Sequence, residues 1–269
     1  MQQRAISIEA IQNAYRRQLA GCWQIASGAH ILEIGCGQGD MTCVLAETAS
    51  RVIAVDIAER SYGAPLTLGE ATDIIKSGPL GERIDFRFEF DILREGSFSP
   101  DIFDYGVMAH CSWYFSGEEE LAAVLSRLRS CCRQLCFAEW DLEPQSLEQV
   151  PHLLAVLVQG QVESFKSSSS ANVRTPFSRN QLERLLSTSG WEIARTCTPE
   201  TSGLQDADWE IDVCLSRSLQ EAQDLKVPPR LYSLLASEVE LMLRMKEKLS
   251  PKPLGSYALV ATHSGTPAI

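Results

Sequence analysis

The chain has 269 residues, 45% of them hydrophobic, which is enough apolar material for a full core and excludes a disordered tail. Its 24 basic and 35 acidic residues leave a net charge of −11 with no Lys/Arg block to offset it, so nucleic acid and acidic membrane surfaces are disfavoured as partners. The nine cysteines are an odd number scattered among apolar neighbours, and they are expected to be reduced, mostly buried thiols, with no C-x-x-C pairing that would suggest structural zinc. No apolar signal segment follows Met1 and no apolar run reaches the length of a membrane span, so the expected location is the cytosol.

In chain order, Ile8, Ile11, Tyr15, Leu19 and Trp23 fall on one helical face and predict a leading helix. A strand, His30 to Ile34, runs straight into glycines; a helix over Met41 to Thr48 and a β-branched strand, Arg51 to Val55, follow. Further strands are expected at Ile84 to Phe90, Phe103 to Ala109 and Gln134 to Trp140, with helices at Leu66 to Lys76 and Glu118 to Ser130 between them. Strands alternating with helices imply right-handed crossovers and a mostly parallel, doubly wound α/β sheet. Beyond Pro144 come a helix over Leu147 to Phe165, a polar hinge at Ser167 to Ser170 and a helix over Ser178 to Thr188. Trp191 to Thr198 and Ser256 to His263 read as late strands. Between them the periodicity predicts helices over Asp206 to Ser218 and Pro229 to Leu249, divided by Pro228-Pro229.

The most informative segment is Ile31 to Asp40, where a buried strand feeds a turn with glycines at 35, 37 and 39. Glycines there permit positive φ and close approach of backbone to a ligand. A dinucleotide fingerprint would place a glycine at position 40; Asp40 stands there instead and would repel a pyrophosphate. Asp56 ends the next strand, where an acid commonly takes ribose hydroxyls in such folds. Together these features point to a nucleoside without a pyrophosphate.

These residues resemble the class I S-adenosylmethionine-dependent methyltransferases, whose first motif, E-x-G-x-G-x-G, is matched by Glu33, Gly35, Gly37 and Gly39. The resemblance implies S-adenosyl-L-methionine as cofactor. It places the turn, with Cys36 inside it, beneath the amino-acid part, Asp56 on the ribose and Ile57 beside the adenine. It also implies that Asp91 and Ile92 face the adenine amino group. Phe103 to His110 is similar to the family's F-D-x-V strand, whose end at Ala109 runs under the methionine moiety. The late strands look like the closing hairpin, giving a seven-stranded order 3-2-1-4-5-7-6. One domain over 1–269 is therefore expected, with a leading helix over 1–28 and a cofactor core over 29–141. Variable, acceptor-side segments would occupy 142–190 and 200–253, and the hairpin 191–198 and 256–263.

Methyl transfer requires a nucleophile placed in line with the methyl group and, where needed, a base. His110 is the candidate base because it ends the fourth strand at the ligand-facing edge of the sheet; a histidine that only packs there is the alternative. Trp113 and Tyr114 are candidates for an acceptor pocket or, as plain packing, for a core patch. Tyr15 is a candidate for covering the cofactor carboxylate, with Arg16 as counter-charge, against core packing and solvent respectively. Asp141 would orient an acceptor amine or hydroxyl, an N-cap being the commoner meaning. No metal is expected, since the Asp-Asn pair of the magnesium-dependent subgroup is missing. No role is expected for His152 or His263. The apolar face of Leu231 to Leu249 fits a lid, a homodimer surface or core. The reading is methyl transfer to an oxygen or nitrogen of a small organic acceptor. A protein acceptor, a non-methylating cofactor-binding protein and a lyase or cyclase on the same fold are its rivals.

Overall fold

The structure is a computed structural model that describes residues 2–94, 98–99, 102–169 and 171–263, with side chains described from Ile8 onward. Ser170, the last residue of the predicted hinge, and Met1 lie outside the described residues.

Seven strands form one sheet of order β3-β2-β1-β4-β5-β7-β6. They are β1 (His30–Ile34), β2 (Arg51–Val55), β3 (Ile84–Arg87), β4 (Phe103–Ala109), β5 (Cys132–Trp140), β6 (Glu192–Cys197) and β7 (Ser256–Thr262). The first five pair in parallel, while β7 runs antiparallel between β5 and β6. Central strands are buried on both faces, so they read as unbroken apolar runs: Ile31-Leu32 in β1, Val52 to Val55 in β2, and Leu135 to Ala138 in β5.

The leading helix, α1 (Gln2–Trp23), buries Tyr15, Leu19 and Trp23, and the Trp23 indole donates to the Phe137 carbonyl of β5 at 3.4 Å. Four helices follow the expected pattern: α2 (Asp40–Ala46), α3 (Leu68–Ser77), α4 (Glu118–Cys131) and α5 (Val150–Glu163). After them come α6 (Arg179–Thr188), α7 (Asp206–Val213), α8 (Leu219–Asp224) and α9 (Pro229–Lys248). Thr67 and Ser178 cap α3 and α6 through their hydroxyls, which fixes where those helices begin.

Three expectations need correction. The strand expected to reach Phe90 stops at Arg87, where its register with β2 ends at Val55; Glu89 takes φ 51° there, and Glu89 and Phe90 N–H bond to the Ala58 and Asp56 carbonyls outside the ladder. The helix expected to end at Ser218 instead continues through a π-helical turn, Cys214–Ser218, into α8. Not every cysteine is a free thiol: Cys22 at the end of α1 and Cys197 at the end of β6 are disulfide-bonded, with Cα atoms 6.1 Å apart. Spacing of 175 residues in sequence hides such a pair, and with it the cysteines cease to support a cytosolic location.

The late helices have an apolar cluster of their own. Val158 and Val162 of α5, Ile211 of α7, Ala222 of α8 and Leu235, Val239 and Met242 of α9 pack together apart from the sheet's core. The α9 stripe is therefore core on that side, while Leu234 and Leu241 remain exposed. This layer places α5 and α7 over the carboxyl ends of β4 and β5. No helix among the described residues is long and apolar enough to cross a membrane.

Candidate functional site

The sheet order reverses between β1 and β4, and in open parallel sheets the crevice at that reversal is where ligands bind. The glycine turn lies there. Gly35, Gly37 and Gly39 take φ of 72°, 53° and 87°, values that cost other residues about 1 kcal/mol or more. Gly35 N–H and Cys36 N–H both donate to the Val55 carbonyl, tying the turn to the end of β2. Asp56 continues that link: its two oxygens accept Gly37 N–H and Ala58 N–H, each at 2.9 Å. Its carboxylate is thereby held in one orientation beside the turn.

Two cavities meet at this point, with Gly35 and Tyr114 bordering both. One, of about 310 Å³, is bordered by Asp56, Ile57, Asp91 and Ile92. The other, of about 350 Å³, is bordered by Glu33, Gly37, Ala109, His110 and Trp113 and is closed by residues of α1, α5 and α7. A Cβ built on Gly37 meets no protein atom within 4 Å, so the space above the turn is open to a ligand. Glu33 is buried, accepts the Thr42 hydroxyl at 2.5 Å, and has its pKa pushed up to about 8 by burial and by the neighbouring Asp56 and Asp40 carboxylates.

His110 adopts φ 52°, an uncommon conformation for a residue with a side chain, which turns it out of β4 toward the second cavity. Its ring is held on both sides. Nδ1 lies 3.3 Å from Glu139 Oε1 and Nε2 lies 2.7 Å from the Tyr15 hydroxyl, whose oxygen is also 2.7 Å from Ser256 Oγ. Glu139 is fully buried and accepts three further hydrogen bonds, from Ser112 N–H, the Ser112 hydroxyl and its own Trp140 N–H. Such a donor shell suits an ionised carboxylate, which then favours a proton on His110 Nδ1. Burial raises the Tyr15 pKa further above the ordinary phenol value, so the hydroxyl stays protonated.

Comparison with known proteins gives this geometry a family. The crystal structure of a cyclopropane-fatty-acyl-phospholipid synthase-like protein from Lactobacillus casei superposes with a TM-score of 0.81 and 32% identity, over 95% of this chain and 92% of that one. The chain belongs to the class I S-adenosylmethionine-dependent methyltransferases. Its cofactor is accordingly S-adenosylmethionine. Methyltransferase phomM' of Diaporthe leptostromiformis is 25% identical over 210 residues, 63% of this chain, and the chain spans about half, 54%, of that curated relative. The [4+2]-cyclase SpnF shares the fold, with a TM-score of 0.57 at 15% identity over 93% of this chain and 81% of that one. No family model matches.

Within this fold the residues named from sequence distribute unevenly. Glu33, Gly35, Cys36, Gly37, Ala109, His110, Trp113 and Tyr15 border the second cavity; Asp56, Ile57, Asp91 and Ile92 border the first. Gly39 stands behind the turn, where a Cβ would lie 2.8 Å from Ile75 and Phe86 side-chain atoms, so it serves close packing of the start of α2 against α3 and β3. Arg16 is not left to solvent: it pairs with Asp40 at 3.0 Å on the cavity rim. Trp113 spends its indole N–H on the Phe177 carbonyl, 3.3 Å away, and presents its ring to the cavity. Asp141 is not among the residues bordering either cavity; it accepts Glu143 N–H at 3.1 Å and faces Arg179 at 4.0 Å.

Three titratable residues of the helices over the second cavity escaped the sequence reading. His152 of α5 borders the second cavity although it was expected to have no role, and Asp206 and Glu210 of α7 border it as well. The acids carried one legible signal, a spacing of four that puts them on one helix face. His152 carried none, since its place depends on how α5 folds back over β5.

Proposed function

We propose that the chain catalyses transfer of the methyl group of S-adenosylmethionine to an oxygen or nitrogen of a small organic acceptor by in-line displacement. The observation that carries this reading is the adjacency of the two cavities, which share Gly35 and Tyr114 as a border and so set an oriented carboxylate, Asp56, next to a chamber in which His110 is held between Glu139 and Tyr15. When bound, the sulfonium supplies an already activated methyl electrophile. The chain's own tasks are then to bind, to orient and to hold or move one proton.

Asp56 would accept the ribose hydroxyls, with Ile57, Asp91 and Ile92 walling the adenine, and Glu33 would lie along the amino-acid portion. Glu139 sets the His110 ring, and His110 Nε2 takes the acceptor's proton once the Tyr15 hydroxyl gives way or relays it. Trp113 and the helices α5 and α7 keep water from the chamber. The cyclase that shares this fold shows why architecture alone is insufficient to choose the reaction. What supports transfer here is a chamber with a carboxylate-oriented imidazole at the site where a proton must be handled.

The test is incubation of the full chain with methyl-labelled S-adenosylmethionine and a metabolite extract. Label in a small acceptor with equal release of S-adenosylhomocysteine supports the reading. Absence of cofactor binding by calorimetry at about millimolar ligand, corresponding to less than about 4 kcal/mol of binding, overturns it.

A further inference from the structure

The second cavity is bordered by five acids, Glu33, Asp40, Glu139, Asp206 and Glu210, against one fixed cation, Arg16. Three of the acids are accounted for: Asp40 pairs with Arg16, Glu139 is saturated by donors, and Glu33 is held by Thr42. The remaining two come from consecutive turns of α7. Asp206 accepts the Gln12 amide at 3.2 Å and Glu210 accepts the Gln159 amide at 2.9 Å, and among the described residues neither is in an ion pair. Two half-buried carboxylates hydrogen-bonded to neutral amides and in no ion pair are poorly compensated, which favours a cationic occupant.

A second, independent feature points to a ligand. His152 is 1% exposed, and its Nδ1 accepts Leu254 N–H at 2.9 Å. That bond places the ring hydrogen on Nε2. Among the described residues Nε2 has no hydrogen-bond partner, and the side chain that carries it borders the cavity. Burial drives the His152 pKa down to about 3, so the ring offers a neutral N–H donor rather than a charge. A buried donor without an acceptor is destabilising unless a ligand supplies one. Trp140, packed edge-on against His152 with ring centroids 5.7 Å apart, and Trp209 on the rim add aromatic surface between the two features.

We propose that this chamber binds an organic ammonium compound of small-metabolite size, its cationic nitrogen held by Asp206 and Glu210 and an oxygen of the same molecule accepting His152 Nε2–H. The proposal rests on the methyltransferase reading and narrows its acceptor to amines that also carry a carbonyl, hydroxyl or ether oxygen. Aromatic faces next to the carboxylates suit a flat apolar body and contribute cation–π attraction to the ammonium.

The test is calorimetry on the full chain loaded with S-adenosylhomocysteine, using matched probes: 2-phenylethylamine, 2-phenylethanol and 3-phenylpropionate, with tryptamine, tryptophol and indole-3-propionate as a second skeleton. Each amine is expected to bind at least about tenfold more tightly than its alcohol or acid. Asp206→Asn and Glu210→Gln should each remove most of that preference while S-adenosylhomocysteine affinity stays within about twofold. Of the oxygen-bearing amines, 2-amino-1-phenylethanol and 2-aminoacetophenone, the better binder should exceed 2-phenylethylamine and lose the gain in His152→Phe. Alcohols or acids that bind as well as the amines overturn the proposal, as does absence of amine binding at about 10 mM, a free energy weaker than about 3 kcal/mol. Equal loss of all amines in His152→Phe, or no gain from either oxygen, overturns the part assigned to His152. Failure of S-adenosylhomocysteine to bind, measured first, counts against the methyltransferase reading, whereas its binding without amine preference counts against this inference alone.

Discussion

Tyr15 Oη stands 2.7 Å from His110 Nε2, so a phenol from the leading helix occupies the one imidazole nitrogen that Glu139 leaves available. The two residues are 95 positions apart, and the contact ties the N-terminal helix to the proposed proton acceptor. His110→Gln is expected to lower kcat by about 100-fold, the usual worth of a positioned base, with cofactor affinity within about twofold. Tyr15→Phe should cost less, about tenfold or below, because the ring keeps its stacking on Trp140, 6.4 Å between centroids. Steady-state kinetics with the identified acceptor checks both, and full turnover in His110→Gln would remove it as a base.

Asp56 separates binding from chemistry. Its oxygens are fixed by Gly37 and Ala58 N–H groups, and the remaining lone pairs face the cavity assigned to the nucleoside. Asp56→Asn removes the charge and puts an NH2 donor group where one oxygen accepted a backbone N–H and faced the cavity. Loss of one or two charge-assisted hydrogen bonds, about 1.5–3 kcal/mol each, predicts S-adenosylhomocysteine binding weaker by about tenfold to a hundredfold or more. Calorimetry decides, and unchanged affinity would show that the ribose lies elsewhere.

Gly35 and Gly37 make a contrasting pair within one turn. A Cβ on Gly35 would lie 2.7 Å from Cys111 Cβ, and the backbone there has φ 72°. Gly35→Ala is therefore expected to destabilise the fold by about 2–4 kcal/mol, combining left-handed strain with overpacking. Gly37 also has positive φ but no protein atom within 4 Å of its Cβ. Gly37→Ala should cost about 1 kcal/mol of stability and lose cofactor affinity instead. Thermal unfolding with and without S-adenosylhomocysteine distinguishes the two. Equal thermal loss in both variants, with equal ligand-induced shifts, would contradict this division.

The sheet order and the glycine turn with Asp56 beside it were legible because they depend on local pattern. A strand feeding Gly35, Gly37 and Gly39 and an acid after the next strand define a turn whose geometry is set within a few residues. The far wall of the second cavity was not, because its residues meet only through folding. His152 reaches the cavity by the return of α5 over β5, and Asp206 and Glu210 by the placement of α7. Glu139 shows the same limit from the other side. As one acid in Glu139-Trp140-Asp141 it was indistinguishable from its neighbour, yet it is the one that turns inward to Ser112 and His110, while Asp141 turns to Arg179. Alternation along a strand would put residues 139 and 141 on one face, but β5 ends at Trp140 and Asp141 lies beyond it, an end point the sequence pattern does not mark.

Glu33 links pH to stability in a direction opposite to a surface carboxylate. Burial lifts its folded-state pKa to about 8 from 4.5. Between those values the unfolded chain has released a proton that the folded chain keeps, so this group makes stability fall as pH rises. Below the lower value both states are protonated and the effect vanishes; above the upper value the loss is complete. Glu33→Gln is neutral throughout and its amide oxygen still accepts the Thr42 hydroxyl. The variant should therefore gain on the parent between pH 5 and pH 8 by at least about 1 kcal/mol, or ~3 °C in Tm. Cofactor binding adds a second readout, since a cation beside Glu33 favours its ionised form. Calorimetry at pH 7 in buffers of different ionisation enthalpy should show proton release by the parent and less by Glu33→Gln. A Tm difference that is flat or shrinks with rising pH would show that Glu33 is ionised in the folded protein.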